Sequence, residues 1–210
     1  MSDWTRSQHD PELPDETLKE VLELYKSGLD IPAVKPARQF LLCPVGLVAS
    51  GKTTVLKPLA ERLNAVRVST DEIRQILKQR HFNYNRTSAM AYTVIKELLD
   101  GGYSVAVDGN CGSEGAQKRV EELKKRPDIR VIWFRVDPPE EFIINKLRHY
   151  KHTWLFRDAD EAVASFYKYK EKYGDFSELD LPYVYTFDTS RPDLDTQIGE
   201  AAAIMEKELR

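Results

Sequence analysis

The sequence predicts an α/β fold in three layers, with a parallel sheet between helices on both faces. Three observations predict it. From Arg38 onward, short β-rich runs alternate with amphipathic helical stretches. A glycine-framed loop joins the first run to the first helical stretch. Acidic residues stand where later runs end. Alternation of this kind implies βαβ units with right-handed crossovers. Ligands of such folds bind outside the carboxyl ends of the strands.

The elements follow in chain order. Residues 1–13 are polar. In "PDETLKEVLELYKSGLDIP", Leu18, Val21, Leu22 and Tyr25 recur at helical spacing, and Pro14 and Asp15 suit a helix start. "IPAVKPAR" is a proline-punctuated connector. The strands are "FLLCPV", "AVRVS", "YSVAVD", "VIWFRVD" and "YVYTF". Helices are expected over 52–63, 70–79, 87–100, 113–126, 139–149, 158–172 and 192–209. The sequence holds no internal repeat and no low-complexity tract.

At 210 residues the chain suits one domain with a small appendage, and 41% apolar content suffices for a sizeable core. A net charge of −3 gives no global basic excess for coating a nucleic acid. Cys43 and Cys111 form neither a metal-ligand spacing nor a disulfide framework, which suits reduced thiols. No apolar run approaches the roughly 20 residues of a membrane span, and the N-terminus lacks an apolar signal core. The expectation is a cytoplasmic protein.

The first strand leads into "GLVASGKT", in which Gly46, Gly51, Lys52 and Thr53 fit G-x-x-x-x-G-K-[ST]. Glycines let the backbone curl until successive N–H groups point inward at phosphate oxygens. The following helix adds the positive end of its dipole. Ala49, Ser50 and Thr54 complete the expected nucleotide contacts, with Lys52 on the phosphates and Thr53 on Mg²⁺. Asp108 ends "YSVAVD", where a carboxylate would sit beside that ion; the other reading is a turn cap. Asp71 opens a helix in "VRVSTDEIRQIL". It is read either as first-turn dipole compensation or as a base accepting a hydroxyl proton. Arg74 lies one helical turn on, on the same face, suited to binding an anionic acceptor or to a surface ion pair.

With its phosphate loop, "STDEIR" and "VAVDGN", the chain resembles the P-loop phosphotransferases, nearest to the polynucleotide-kinase-like and zeta-toxin-like kinases. The resemblance covers about residues 38–195. It implies a P-loop NTPase sheet of five strands in the order 2-3-1-4-5 with a helical lid. It further implies ATP with Mg²⁺, and transfer of the γ-phosphoryl group to a hydroxyl. By the same likeness Asp71 matches the general base and Arg74 the acceptor-binding arginine. The domain expectation is a tail and helix over 1–37, then a kinase domain over 38–210 with its lid at about 146–160.

The lid segment is dense in cations. Arg148 and Arg157 are the first candidates to stabilise a migrating phosphoryl group and Lys146 the third, against a plain solvated helix face. Trp154, Leu155 and Phe156 suit lid packing better than a base-stacking platform. "FYKYKEKY" reads as an amphipathic helix with a wet lysine face. Thr189, Ser190 and Arg191 follow the last strand, in a loop that passes near the adenine in the resembled group. Asn83, Tyr84 and Arg86 are candidates for the acceptor wall, Arg86 equally for pairing with an acid at the helix start. The expected partners are ATP and a hydroxyl acceptor, either a nucleic-acid 5′-end or a small metabolite. Two other functions compete: an NTP-hydrolysing switch, against which stand the missing "NKxD" and Asp-Glu pair, and a nucleotide-binding protein without transfer activity.

Overall fold

The computed structural model describes residues 9–149, 155–156 and 158–209. Its elements are α1 (Asp15–Ser27), β1 (Gln39–Val45), α2 (Lys52–Arg62), β2 (Ala65–Ser69), α3 (Thr70–Gln79), α4 (Thr87–Asp100) and β3 (Ser104–Asp108). There follow α5 (Glu114–Lys124), β4 (Ile129–Val136), α6 (Glu140–His149), α7 (Ala159–Tyr173), β5 (Tyr183–Phe187) and α8 (Leu194–Glu208). The strands form one parallel sheet in the order β2-β3-β1-β4-β5. This is the P-loop NTPase order. Strand β4 starts at Ile129, two residues before the apolar run from Val131, because Gln39 and Phe40 pair with Ile129 and Arg130. A partner strand extends an element past the point where its own hydrophobic pattern stops.

The central strand β1 is apolar on both faces, as a doubly covered strand must be. Leu41, Cys43 and Val45 face a core shared with α1, α3, α4, α5, α6 and α7. Phe40 and Leu42 face a second core formed with α2 and α8, in which the rings of Phe134 and Phe187 meet edge to face at 5.6 Å. With helices on both faces, every polar loop is pushed to the strand ends.

Helix α1 is part of the first core, through Val21 and Tyr25. The phenol of Tyr25 accepts the Ser69 N–H at 2.7 Å, at the end of β2. Burial pushes that phenol up to about 12, so it is a neutral hydroxyl at any physiological pH. Ion pairs Lys26–Glu97 and Arg80–Glu20 add to the contact, at 2.9 and 2.8 Å. Arg86 pairs with Glu12 and Asp15, and the Asn83 amide donates to the Asp10 carbonyl. Both residues are thereby engaged by the N-terminal segment; Arg86 pairs with acids there, Asp15 at the start of α1 among them, and the first turn of its own helix holds no acid. Among the described residues, no helix is long and apolar enough to cross a membrane.

Because Ser69 N–H is buried and Tyr25 is its acceptor, Tyr25→Phe is expected to cost about 1–3 kcal/mol of stability. Urea unfolding would read this as a lower midpoint at unchanged slope.

Candidate functional site

The loop between β1 and α2 is shaped by close backbone approach. A Cβ at Gly46 would lie 2.4 Å from the Val136 carbonyl oxygen, so only glycine fits against β4. Gly51 has φ 99° and its position would crowd Thr189. It is also the N-cap of α2, and among the described residues no side chain caps that helix. The first-turn N–H groups of α2 are therefore left for an anion. Ala49 sits between the two glycines with φ 61°, in the left-handed region.

Inside this curl the Lys52 ammonium donates to the carbonyls of Gly46 and Leu47, at 2.9 and 2.6 Å. Burial lowers it to about 8, partly offset by the nearby charges of Asp71 and Asp108. Thr53 Oγ1 donates to Asp108 Oδ1 at 2.7 Å. Asp108, only 6% exposed, also takes a guanidinium N–H of Arg67 at 2.5 Å, and the far end of Arg67 holds Glu72 on α3. Arg74 donates to Asp71 Oδ1 at 2.6 Å, while its buried Nε has no partner among the described residues.

These groups line one cavity of about 400 Å³ at the carboxyl ends of the strands. Ala49, Gly51, Lys52, Thr53, Thr54, Asp71, Arg74 and Asp108 all border it. Gly46 shapes it from behind, and Ser50 is buried beneath. Lys146 of α6 also reaches it, with its ammonium pushed below the ordinary value by burial. Leu155 and Phe156 close the side.

Other expected contacts fall elsewhere. Arg148 is exposed and lines a separate shallow cleft with Glu140, Glu141 and Tyr167. On a helix, residues two apart face about 200° apart, so Lys146 and Arg148 do not share a face. The order of preference within the segment is corrected accordingly: Lys146, not Arg148, borders the cavity. Arg157, with Trp154, lies outside the described residues. Thr189 is not on the cavity wall; its hydroxyl donates to the Ser50 carbonyl at 2.7 Å and braces the loop from behind. Ser190 turns onto Asp188 at 2.6 Å, and Arg191 pairs with Asp193.

Sequence reasoning singles out none of three further residues of the site. Arg67 sits mid-strand in "AVRVS", where an alternating pattern reads as an outward polar position. Asn110 ends "VAVDGN"; its side chain accepts the Gly46 and Gly112 N–H groups and donates to the Tyr169 hydroxyl at 2.7 Å. Tyr169, from "FYKYKEKY", thus turns inward over the cavity instead of packing as one more amphipathic ring.

Among the described residues, no group of three or more His, Cys, Asp or Glu side chains gathers to hold a metal by itself. One carboxylate and one hydroxyl at 2.7 Å suit Mg²⁺, which keeps most of its waters and shares its remaining sites with phosphate. Thr53 and Asp108 would hold it, and it would neutralise phosphate charge.

A family model described as an AAA domain matches residues 41–165. No curated protein sequence matches the chain. Solved structures share its fold. A provisionally assigned kinase of Chloroflexus aurantiacus superposes with a TM-score of 0.65 at 17% identity, covering 82% of this chain and 100% of that one. A chain of the PezAT toxin–antitoxin system of Streptococcus pneumoniae gives 0.61 at 13% identity, covering 95% and 99%. The APS kinase of Mycobacterium tuberculosis, solved with AMPPNP and APS, gives 0.54 at 17%, covering 81% and 99%.

The pH behaviour of Lys52 follows from its burial. Its pKa is lower in the folded chain (about 8) than unfolded (10.5), so the unfolded state binds more protons between those values. Stability must then rise with pH across that window. Relative to Lys52→Met, the parent chain should gain about 1–2 kcal/mol between about pH 7.5 and pH 9.5. Paired urea titrations of the two proteins at each pH would measure it.

Proposed function

This chain belongs to the AAA-domain family, and on that premise we propose that it is an ATP-dependent kinase of the polynucleotide-kinase-like and zeta-toxin-like group. The observation that carries the proposal is the convergence of Lys52, Thr53, Asp108, Asp71 and Arg74 on one cavity. The shared fold with nucleotide-binding kinases supports it.

In this reading the loop amides of 46–53 and the Lys52 ammonium hold the β- and γ-phosphates of ATP. Lys52 exchanges its two carbonyl partners for phosphate oxygens. Asp71 borders the same cavity as the loop, on a helix whose start is fixed by Tyr25 and Ser69. It accepts the proton of the acceptor hydroxyl as the oxygen attacks the γ-phosphorus. One P–O bond forms to the acceptor, the bond to the β–γ bridging oxygen breaks, and ADP leaves. Arg74 holds Asp71 in place and turns its remaining N–H groups toward an anionic acceptor. Lys146, on the wall of the same cavity, supplies positive charge from α6. Thr53 and Asp108 would hold Mg²⁺, which would screen the phosphate charge.

The test is ADP release from MgATP over a panel of hydroxyl acceptors. An acceptor should raise turnover above the acceptor-free background, and Lys52→Ala should abolish the rise. Asp71→Asn should keep ATP affinity and lose about 10²–10⁴-fold in rate. Parental turnover by Asp71→Asn would remove the base assignment. Acceptor-independent turnover at the full rate would replace the kinase reading with that of an ATP-hydrolysing switch.

A further inference from the structure

A second cavity, of about 370 Å³, opens beside the first, between α4, α5 and the end of β3. It is continuous in lining with the phosphate-loop cavity, because Thr70, Arg74, Gly109, Asn110 and Tyr169 border both. Its volume lies in the ~300–1,000 Å³ range of small-ligand sites. Its floor is apolar, made by Leu41, Ile95, Val107, Cys111, Val120 and Leu123. Tyr92, Tyr169 and Tyr173 stand at its walls, the last two with ring centroids 4.7 Å apart.

Two guanidinium groups face this cavity. Arg74 stands at the junction with the phosphate site, with Asp71 as its ion-pair partner. Arg119 lies 5.7 Å over the Tyr92 ring and donates to the Ser88 carbonyl at 3.1 Å. Among the described residues Arg119 makes no ion pair. The nearby carboxylate, Glu122, accepts from the Tyr92 hydroxyl at 3.1 Å.

We propose that the second cavity is the acceptor site, and that its occupant is a small hydroxylated ring compound carrying an anionic group. The inference rests on the kinase reading and deepens it. Three features select this chemistry. The apolar floor gives no partners to hydroxyls, and burying those groups unpaired is unfavourable, so a polyol would depend on the few polar side chains of the lining, Thr70, Ser88, Asn110 and Ser113, and on tyrosine hydroxyls. Tyrosine walls suit a flat ring. Arg119, planar and without a carboxylate partner, suits a carboxylate or phosphate substituent bidentately. A ring held there presents its hydroxyl across Arg74 to Asp71, on the border of the phosphate cavity. The transferred phosphoryl group then passes from ATP to that oxygen, and the hydroxyl proton passes to Asp71. A nucleic-acid end is the disfavoured occupant, since its following phosphates need a track of cations.

Binding tests this without requiring turnover. The probes are 4-(hydroxymethyl)benzoate, the neutral benzyl alcohol, the polyol acid gluconate and a short 5′-hydroxyl oligothymidylate, each titrated calorimetrically with MgADP present. The ring-bearing acid is expected to bind at least about tenfold tighter than the other three. Arg119→Met should erase its advantage over benzyl alcohol. Gly115→Phe should block the cavity: a Cβ at Gly115 meets nothing within 4 Å, and glycine is the poorer helix former, so the fold tolerates it. Affinity for a fluorescent ATP analogue should be unchanged in both variants. Preference for gluconate or the oligonucleotide overturns the inference. So does equal affinity of the ring acid in Gly115→Phe, or no binding by any probe. Failure of the kinase reading shows separately, as ATP-analogue binding without ADP formation from any acceptor. Ring-acid binding in that case would leave the ligand class standing.

Discussion

A buried carboxylate is the constraint on which the rest of this site depends. Asp108 is almost wholly removed from water, and an ionised group there is tolerated only with compensating partners. It has two, and each comes from a different element. Thr53 brings the first turn of α2, and Arg67 brings β2. The register Ser69↔Asp108 sets the two strand ends level, so that Arg67 can reach across and continue to Glu72 on α3. The phosphate loop, the carboxylate strand and the helix of the proposed base are thereby joined through one charge network. Removing one member would strand another in a medium where an unpaired charge costs several kcal/mol.

The N-terminal helix extends the same network outward. Tyr25 holds the Ser69 N–H, and Ser69 in turn caps α3 by accepting the Glu72 N–H. The chain of contact from α1 is thus two hydrogen bonds long and ends on Glu72, the residue next to Asp71. An appendage that the sequence leaves without a task is a structural support of the proposed catalytic helix. Its ion pairs with α3 and α4 are exposed and contribute little each. The buried phenol and the apolar side of α1 carry most of the attachment.

The sheet was legible because its signal is local. Five apolar runs, each bounded by turn residues and each followed by a helical pattern, read as strands without knowledge of their neighbours. The phosphate loop was legible for the same reason: its chemistry needs fixed residue types at fixed spacing. What was not legible depends on partners far along the chain. Arg86 meets Glu12 and Asp15, more than 70 positions away. Arg67 appears as a polar interruption of a strand until Asp108 is placed beside it. Tyr169 reads as one aromatic among several in a lysine-rich helix, and only the fold turns it toward Asn110. Lys146 and Arg148 differ by two positions on one helix, and cation density alone cannot say which of them faces the cavity.

The loop conformation is held by more than its glycines. Ala49 adopts a left-handed φ that costs an L-residue roughly 1–2 kcal/mol. That cost is met only if the surroundings determine the backbone independently. They do so from three directions. Ser50 N–H bonds the Leu47 carbonyl at 3.2 Å, Thr189 holds the Ser50 carbonyl from behind, and Lys52 draws two loop carbonyls inward from the front. The lysine's own hold is the weakest of these against an anion. Burial lowers the pKa of its ammonium, and the charges of Asp71 and Asp108 offset that only in part. A phosphate in the loop would supply further negative charge, and the strut from Thr189 would keep the curl in place while Lys52 changed partners. The loop is therefore shaped before its ligand arrives, and ligand binding has little backbone entropy to remove.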